Sequence, residues 1–365
     1  MSYQINLKKI ILMINKQIND LIKIYDEREK EEEKKISFIE RSSLKPIVLM
    51  QIGSYFKING FDELSNCCDN EHDLRGKKII DDQCNGLTDE ELNYFIKISN
   101  RIDEYNSSWN NKFIPINSLF THIYQNRIIN LFAKDKKNIL EIGGGSGYLS
   151  LILNFSGKTV YTTDIFQPYY IYQSFLFEIF KVNNETIHSN KIENDEKKIN
   201  HIPWWTFRNI EKYDIECDLV TMNHMICEMS PTSLKSFLSK TKHLKYPDIL
   251  VNSTGYQKTK WGEIIKILEK YNYKLIFSSE HDKESNCIYK FTHTKNMKIK
   301  DSKILNKLKR IIPFVNVFKY IFNEIRIFLR EILFYEKIKK KFIYKRLFEK
   351  QNKYFYKDII EICKK

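Results

Sequence analysis

Apolar residues recur along this 365-residue chain in two different periods, and the change of period divides it. Leu7, Ile11, Ile14, Ile18, Leu21 and Tyr25 alternate by four and three, which predicts one helix over residues 1–25 with a coiled-coil type of seam. So short a seam packs more readily on its own protein than on a partner. The mixed charge run Asp26–Lys35 reads as a solvated helix end or a linker. Helical patches follow at Ser43–Lys57, Thr88–Tyr105 and Asn117–Ala133, separated by polar, cysteine-bearing loops.

From residue 138 onward, short apolar runs alternate with amphipathic ones. Strands are expected at 138–142, 159–163, 217–222, 248–253, 273–278 and 287–294, and helices at 146–155, 168–182, 231–241 and 260–271. Strands alternating with helices predict an α/β class built on a mostly parallel sheet with crossover helices. A further strand belongs between 183 and 203, but Asn183–Asn200 is too polar to place it. The last two strands are joined by only Glu280–Ser285, which suits an antiparallel final strand.

After residue 300 the pattern changes again. Over 316–349, Phe318, Ile321, Phe322, Ile325, Phe328, Leu329 and Ile332 share one helical face, with Lys319, Asn323, Arg326 and Arg330 on the other. Lys337, Lys339, Lys340 and Lys341 then precede Phe342, Tyr344 and Phe348. Three regions are expected: a helical one at 1–136, an α/β domain at 137–297 and a basic amphipathic tail at 298–365.

Charge sharpens this division. The net charge is +14, yet residues 301–365 alone hold 18 Lys+Arg against 7 Asp+Glu, so the α/β part is almost balanced. A nucleic-acid enzyme would carry its basic residues around the active face, and no nucleic-acid partner is expected. Lysines interleaved with aromatics suit the headgroups of an anionic membrane, or else a helical appendage packed on the core. Seven cysteines without a C-x-x-C pair read as reduced thiols of a cytoplasmic protein. No run of 18 apolar residues exists to span a membrane.

The chemistry concentrates in residues 138–150, Asn-Ile-Leu-Glu-Ile-Gly-Gly-Gly-Ser-Gly-Tyr-Leu-Ser. An apolar strand runs into Gly143, Gly145 and Gly147, and then into a helix start, with Glu141 two residues before the first glycine. Such turns let the backbone approach a ligand closely. The dinucleotide fingerprint G-x-G-x-x-G would need glycine at 148, which is tyrosine. The spacing E-x-G-x-G-x-G instead resembles motif I of class I methyltransferases that use S-adenosylmethionine. Asp164 ends the next strand, twenty-one positions beyond Gly143, where an acidic residue of a nucleotide-binding α/β fold accepts hydrogen bonds from ribose hydroxyls.

Ligands of open α/β sheets sit beyond the carboxyl ends of the strands. The strand 217–222 leads into Asn223 and His224, then Met-Ile-Cys-Glu-Met-Ser. An Asn/Asp-Pro-Pro-aromatic motif for base-amine methylation is missing there. An oxygen acceptor needs a base, and His224 is the first candidate, with Glu228 one helical turn later to orient it and Asn223 to hold a ligand group. His224 reads equally as a structural histidine at a strand end. Gln167 is a polar amide among aromatics, in the stretch that also contains Gln173. Trp204 and Trp205 offer faces for stacking on a sugar or adenine ring, or else belong to the core. His201 is a second candidate base.

Together LEIGGGSGYL (140–149), TDIFQPYYIYQ (163–173), IPWW (202–205), DLVTMNHMICEMSP (218–231) and WGEIIKILEKYNYKLIFSSE (261–280) resemble the bacterial sugar O-methyltransferase family over residues 115–295. The resemblance implies a Rossmann-like class I sheet with an antiparallel final strand. It also implies S-adenosylmethionine as cofactor and a sugar hydroxyl as acceptor, typically in cell-surface polysaccharide synthesis. The Asn223-His224 strand end offers no adjacent acidic pair, so a metal-free reaction is expected. The rivals are another small or lipid-like acceptor, or a scaffold that binds cofactor without turnover.

Overall fold

The computed structural model describes residues 2–36, 57–60, 63, 80–81, 85–106, 116–185, 187, 192, 198–223, 225–253, 261–279, 287–297 and 353–363. His224 and the amphipathic stretch 316–349 lie outside the described residues, as does nearly all of the expected helix at 43–57.

The centre of the sheet is β1 (Asn138–Ile142) and β2 (Thr159–Thr163). All of TVYTT is buried, as a strand covered on both faces requires. Eight strands follow the spatial order β3-β4-β2-β1-β5-β6-β8-β7, where β3 is Asn183–Glu185, β4 Ile199–His201, β5 Leu219–Thr221, β6 Asp248–Ser253, β7 Tyr273–Ser279 and β8 Cys287–His293. Strand β8 slots between β6 and β7, antiparallel to both, and every other pairing is parallel. The expected α/β sheet with an antiparallel final strand is therefore present. The polar interval that concealed a strand holds two short ones, β3 and β4.

Helices cover both faces. Helices α4 (Tyr148–Phe155) and α5 (Gln167–Ile179) share one buried cluster with α1 (Ser2–Glu33), α2 (Asp89–Asn106) and α3 (Ile116–Ala133). The opposite face of the sheet packs on α7 (Pro231–Lys240) and α8 (Trp261–Lys270). The short α6 (Trp204–Arg208) lies at the carboxyl end of β4. None of the helices among the described residues is long and apolar enough to cross a membrane.

The charge run after residue 25 is not a linker: α1 continues through it to Glu33. Its Tyr25 is fully buried between Tyr170 (5.0 Å between ring centroids) and Trp205 (4.8 Å). Trp204 Nε1 donates to Glu29 at 3.2 Å, and Gln167 Nε2 donates to Asp26 at 2.9 Å. Lys57 closes the group with ion pairs to Asp26 and Glu29 at 3.1 and 2.7 Å. The inward side of α1 thus seals the carboxyl ends of β2 and β4.

The last described residues return to the helical region. Tyr354 makes an antiparallel bridge with Leu87, whose N–H donates to the Tyr354 carbonyl at 2.7 Å. Helix α9 (Tyr356–Cys363) then buries Ile359 beside α2. Residues 354–363 of the basic tail region are consequently anchored to the helical region.

Candidate functional site

Strand order reverses between β1 and β5: from β1 the chain first adds β2 on one side and later β5 on the other. In open α/β sheets that switch point opens a crevice beyond the strand ends. The glycine turn and the Asn223 segment form its two walls.

Gly143 and Gly145 have φ of +73° and +53°, in the left-handed region that side chains resist. A methyl group on Gly143 would lie 2.5 Å from Met225 Sδ, so the segment after β5 folds directly onto the turn. Around the corresponding position of Gly145 nothing among the described residues lies within 4 Å. One side of the turn is therefore closed by protein and the other is open to a ligand. The turn is pinned from below: Gln173 Nε2 donates to the Gly145 carbonyl at 2.7 Å, and its methylene packs on Gly147.

Three carboxyl groups converge here. Glu141 is buried and takes a short hydrogen bond from the Ser150 hydroxyl. Burial, with a further contribution from the nearby Asp164 charge, raises its pKa to about 8. Asp164 accepts from Gly145 N at 3.0 Å and from Phe166 N at 2.9 Å. Burial lifts it to about 6 despite those backbone donors. Glu228 is raised to about 7 by burial and then by Asp164. None of the three forms a salt bridge among the described residues. A buried group of acids without a cation favours a positively charged visitor.

These raised acids should therefore cost the protein stability as pH rises. An acid whose folded pKa lies above its unfolded value of about 4 binds more protons when folded, so stability falls as pH rises between the two values. For Glu141 that window runs from about 4 to about 8. Glu141→Gln should flatten the loss of urea stability between pH 6 and pH 8. An unchanged slope in that variant would mean that Glu141 is already ionised in the folded protein over that interval.

The other expected site residues fall in different places. Asn223 leaves β5 half-buried at the crevice, and its Nδ2 has no partner among the described residues. Gln167 is occupied elsewhere: its carbonyl accepts from Ile58 N at 2.8 Å while its amide nitrogen holds Asp26 and the Ile58 carbonyl. Trp204 and Trp205 are buried beneath α1, so the core alternative describes them. His201 is fully buried, stacked 3.8 Å from Tyr170, and its Nδ1 pairs with the Ser174 hydroxyl at 3.1 Å. Burial lowers its pKa to about 3, which fits a neutral packing residue rather than a base in contact with acceptor. Gln173 and Gly144 are the contributors that spacing alone did not assign. A side chain on Gly144 would meet Thr162 Oγ1 at 2.7 Å.

No family model matches the sequence, and no curated protein matches it. Solved structures that resemble the chain include magnesium protoporphyrin IX methyltransferase from Synechocystis PCC 6803 with bound S-adenosylmethionine, at 14% identity and a TM-score of 0.34, covering 57% of this chain and 99% of that one. The PH0226 protein of Pyrococcus horikoshii is 11% identical over 52% of this chain and 99% of its own, with a TM-score of 0.38. A TehB-like S-adenosylmethionine-dependent methyltransferase from Corynebacterium glutamicum is 12% identical over 55% and 99%, at 0.36. Likeness at this level assigns nothing to the chain beyond what its own residues support.

Proposed function

We propose that this protein is an S-adenosylmethionine-dependent O-methyltransferase whose acceptor is a sugar hydroxyl. The observation that carries the reading is the carboxyl trio, free of salt bridges among the described residues, around the glycine turn at the sheet's switch point. The cofactor fits that donor set on chemical grounds. Its sulfonium and ammonium charges match a buried acidic site, and its ribose diol matches Asp164, whose two oxygens keep acceptor capacity beyond the backbone bonds they already make. When bound, it would supply a methyl group on a positively charged sulfur.

The chain's own residues then have separable jobs. The backbone of Gly143–Gly147 lies against the ligand, Gln173 fixes the carbonyl direction at Gly145, and Asp164, joined by Glu141 where it ionises, supplies negative charge. The acceptor oxygen must lose a proton as it attacks. His224, between Asn223 and Met225 in the chain, is the base in this reading, and Glu228 orients it. The sugar acceptor rests on the family resemblance and on the oxygen-directed Asn223-His224 segment.

Calorimetry with S-adenosylmethionine and S-adenosylhomocysteine tests the cofactor, and absence of binding by both would remove the reading. For the base, His224→Ala is expected to bind cofactor within about twofold of the parent. Its methyl transfer should drop by about 10²–10⁴, the range for a general base. Unchanged turnover in that variant would take the role from His224.

A further inference from the structure

Asn252 lies near the end of β6, and neither its amide nitrogen nor its amide oxygen has a partner among the described residues, although the side chain is only 1% exposed. Buried side-chain amides are ordinarily paired, because each unmet group costs about 1–3 kcal/mol. An amide with both ends unmet is a place kept for something else.

The register says where that place is. Thr221 pairs with Glu141 on one side and with Leu250 on the other, so the three side chains share one face of the sheet. Two residues further on come Gly143 and Asn223, just past the ends of β1 and β5, and Asn252, still within β6. Met222 N donates to the Leu250 carbonyl at 3.2 Å, which carries the β5–β6 register up to that level. Adjacent strands are about 4.8 Å apart, so the backbones at Asn223 and Asn252 lie at neighbouring positions, with the side-chain-free Gly143 next to Asn223. Asn223 Nδ2 is also without a partner among the described residues. Asp164, at the end of β2, stands on the far side of the glycine. The cofactor reading uses the Asp164 and Gly143 end of this row and leaves the two amides unused.

We propose that Asn223 and Asn252 form the acceptor subsite and that it receives two neighbouring hydroxyl groups of a polyhydroxylated ring. A carboxamide presents one acceptor and two donors in one plane, and each hydroxyl both donates and accepts. A vicinal hydroxyl pair therefore satisfies both ends of Asn252 and the nitrogen of Asn223 at once. A purely apolar acceptor would leave all three atoms unmet. This deepens the methyltransferase reading and rests on it: the ring is held one strand beyond the glycine turn.

The test uses the full chain saturated with S-adenosylhomocysteine, titrated with the methyl glycosides of mannose, galactose and glucose and followed by saturation-transfer NMR. The parent should bind at least one of these glycosides. Asn252→Leu should weaken that glycoside at least tenfold, leave S-adenosylhomocysteine affinity within twofold, and melt no lower than the parent, since it removes unmet polar atoms at similar volume. Asn252→Asp, which keeps the acceptor and loses the donors, should fall between.

Equal glycoside binding by Asn252→Leu, or no glycoside bound by the parent, overturns the subsite. So does a Leu variant that melts lower and loses S-adenosylhomocysteine, because the amide would then be a structural group satisfied by water. Failure of the parent to bind S-adenosylhomocysteine at all is a different result, and sinks the methyltransferase reading first.

Discussion

Replacing Asp164 with alanine is expected to weaken S-adenosylmethionine by two orders of magnitude or more while the protein stays folded. A carboxylate accepting two hydroxyl donors loses two charge-assisted hydrogen bonds, each worth about 1.5–3 kcal/mol. The same side chain holds Gly145 N at 3.0 Å, so the open part of the turn loosens as well. Asp164→Asn keeps one acceptor oxygen and should recover part of the loss. Isothermal calorimetry at pH 7.5 reads the difference. The sign with pH follows from the free site. A cationic ligand prefers the ionised acids, so binding should release protons and tighten from pH 6 to pH 7.5, across the values of Asp164 and Glu228. Affinity that weakens over that interval, or an Asp164→Ala variant within threefold of the parent, would show that the diol is held elsewhere.

What could be read from the sequence was what depends on neighbours in sequence. The run from β1 through the glycines to α4 is one local unit, and its strand, turn and helix signals lie within 18 residues. The place of Asp164 at the end of β2 is legible because the distance from turn to second-strand end is set by one helix and one strand. Strands β3 and β4 were hidden because three-residue strands at a sheet edge carry too little apolar pattern to register.

Roles that depend on distant partners were the ones missed. Gln167, Trp204 and Trp205 have the chemistry of ligand contacts, and only the seat of α1 against them makes them structural. His201 was attractive as a base until its burial against Tyr170 was known. Gln173 had a usable signal. It sits six residues after Gln167 on one helix, and two amides so spaced lie about 120° apart around its axis: one meets α1, the other the turn.

Helices α2 and α3 and the C-terminal residues are held together by a different device, and its central residue carries the largest expected effect on stability. Thr88 and Glu91 form a capping box at the start of α2: Thr88 N donates to Glu91 at 2.8 Å and Glu91 N donates to the Thr88 hydroxyl at 3.2 Å. The same Glu91 carboxylate makes a close, two-pronged pair with the Arg127 guanidinium of α3, both side chains at most 9% exposed. Arg127 also donates to the Gly86 carbonyl at 2.7 Å, one residue before the Leu87 bridge that anchors Tyr354. Glu91→Ala would strand a buried guanidinium and uncap α2 together. Breaking a buried pair from one side costs about 3–5 kcal/mol. Urea melts should show that loss as a lower midpoint with an unchanged m-value. Thr88→Ala removes only the hydroxyl cap and should cost about 1 kcal/mol. If Glu91→Ala costs no more than Thr88→Ala, the guanidinium is solvated in solution and the clasp of α2, α3 and the C-terminal residues is looser than its geometry implies.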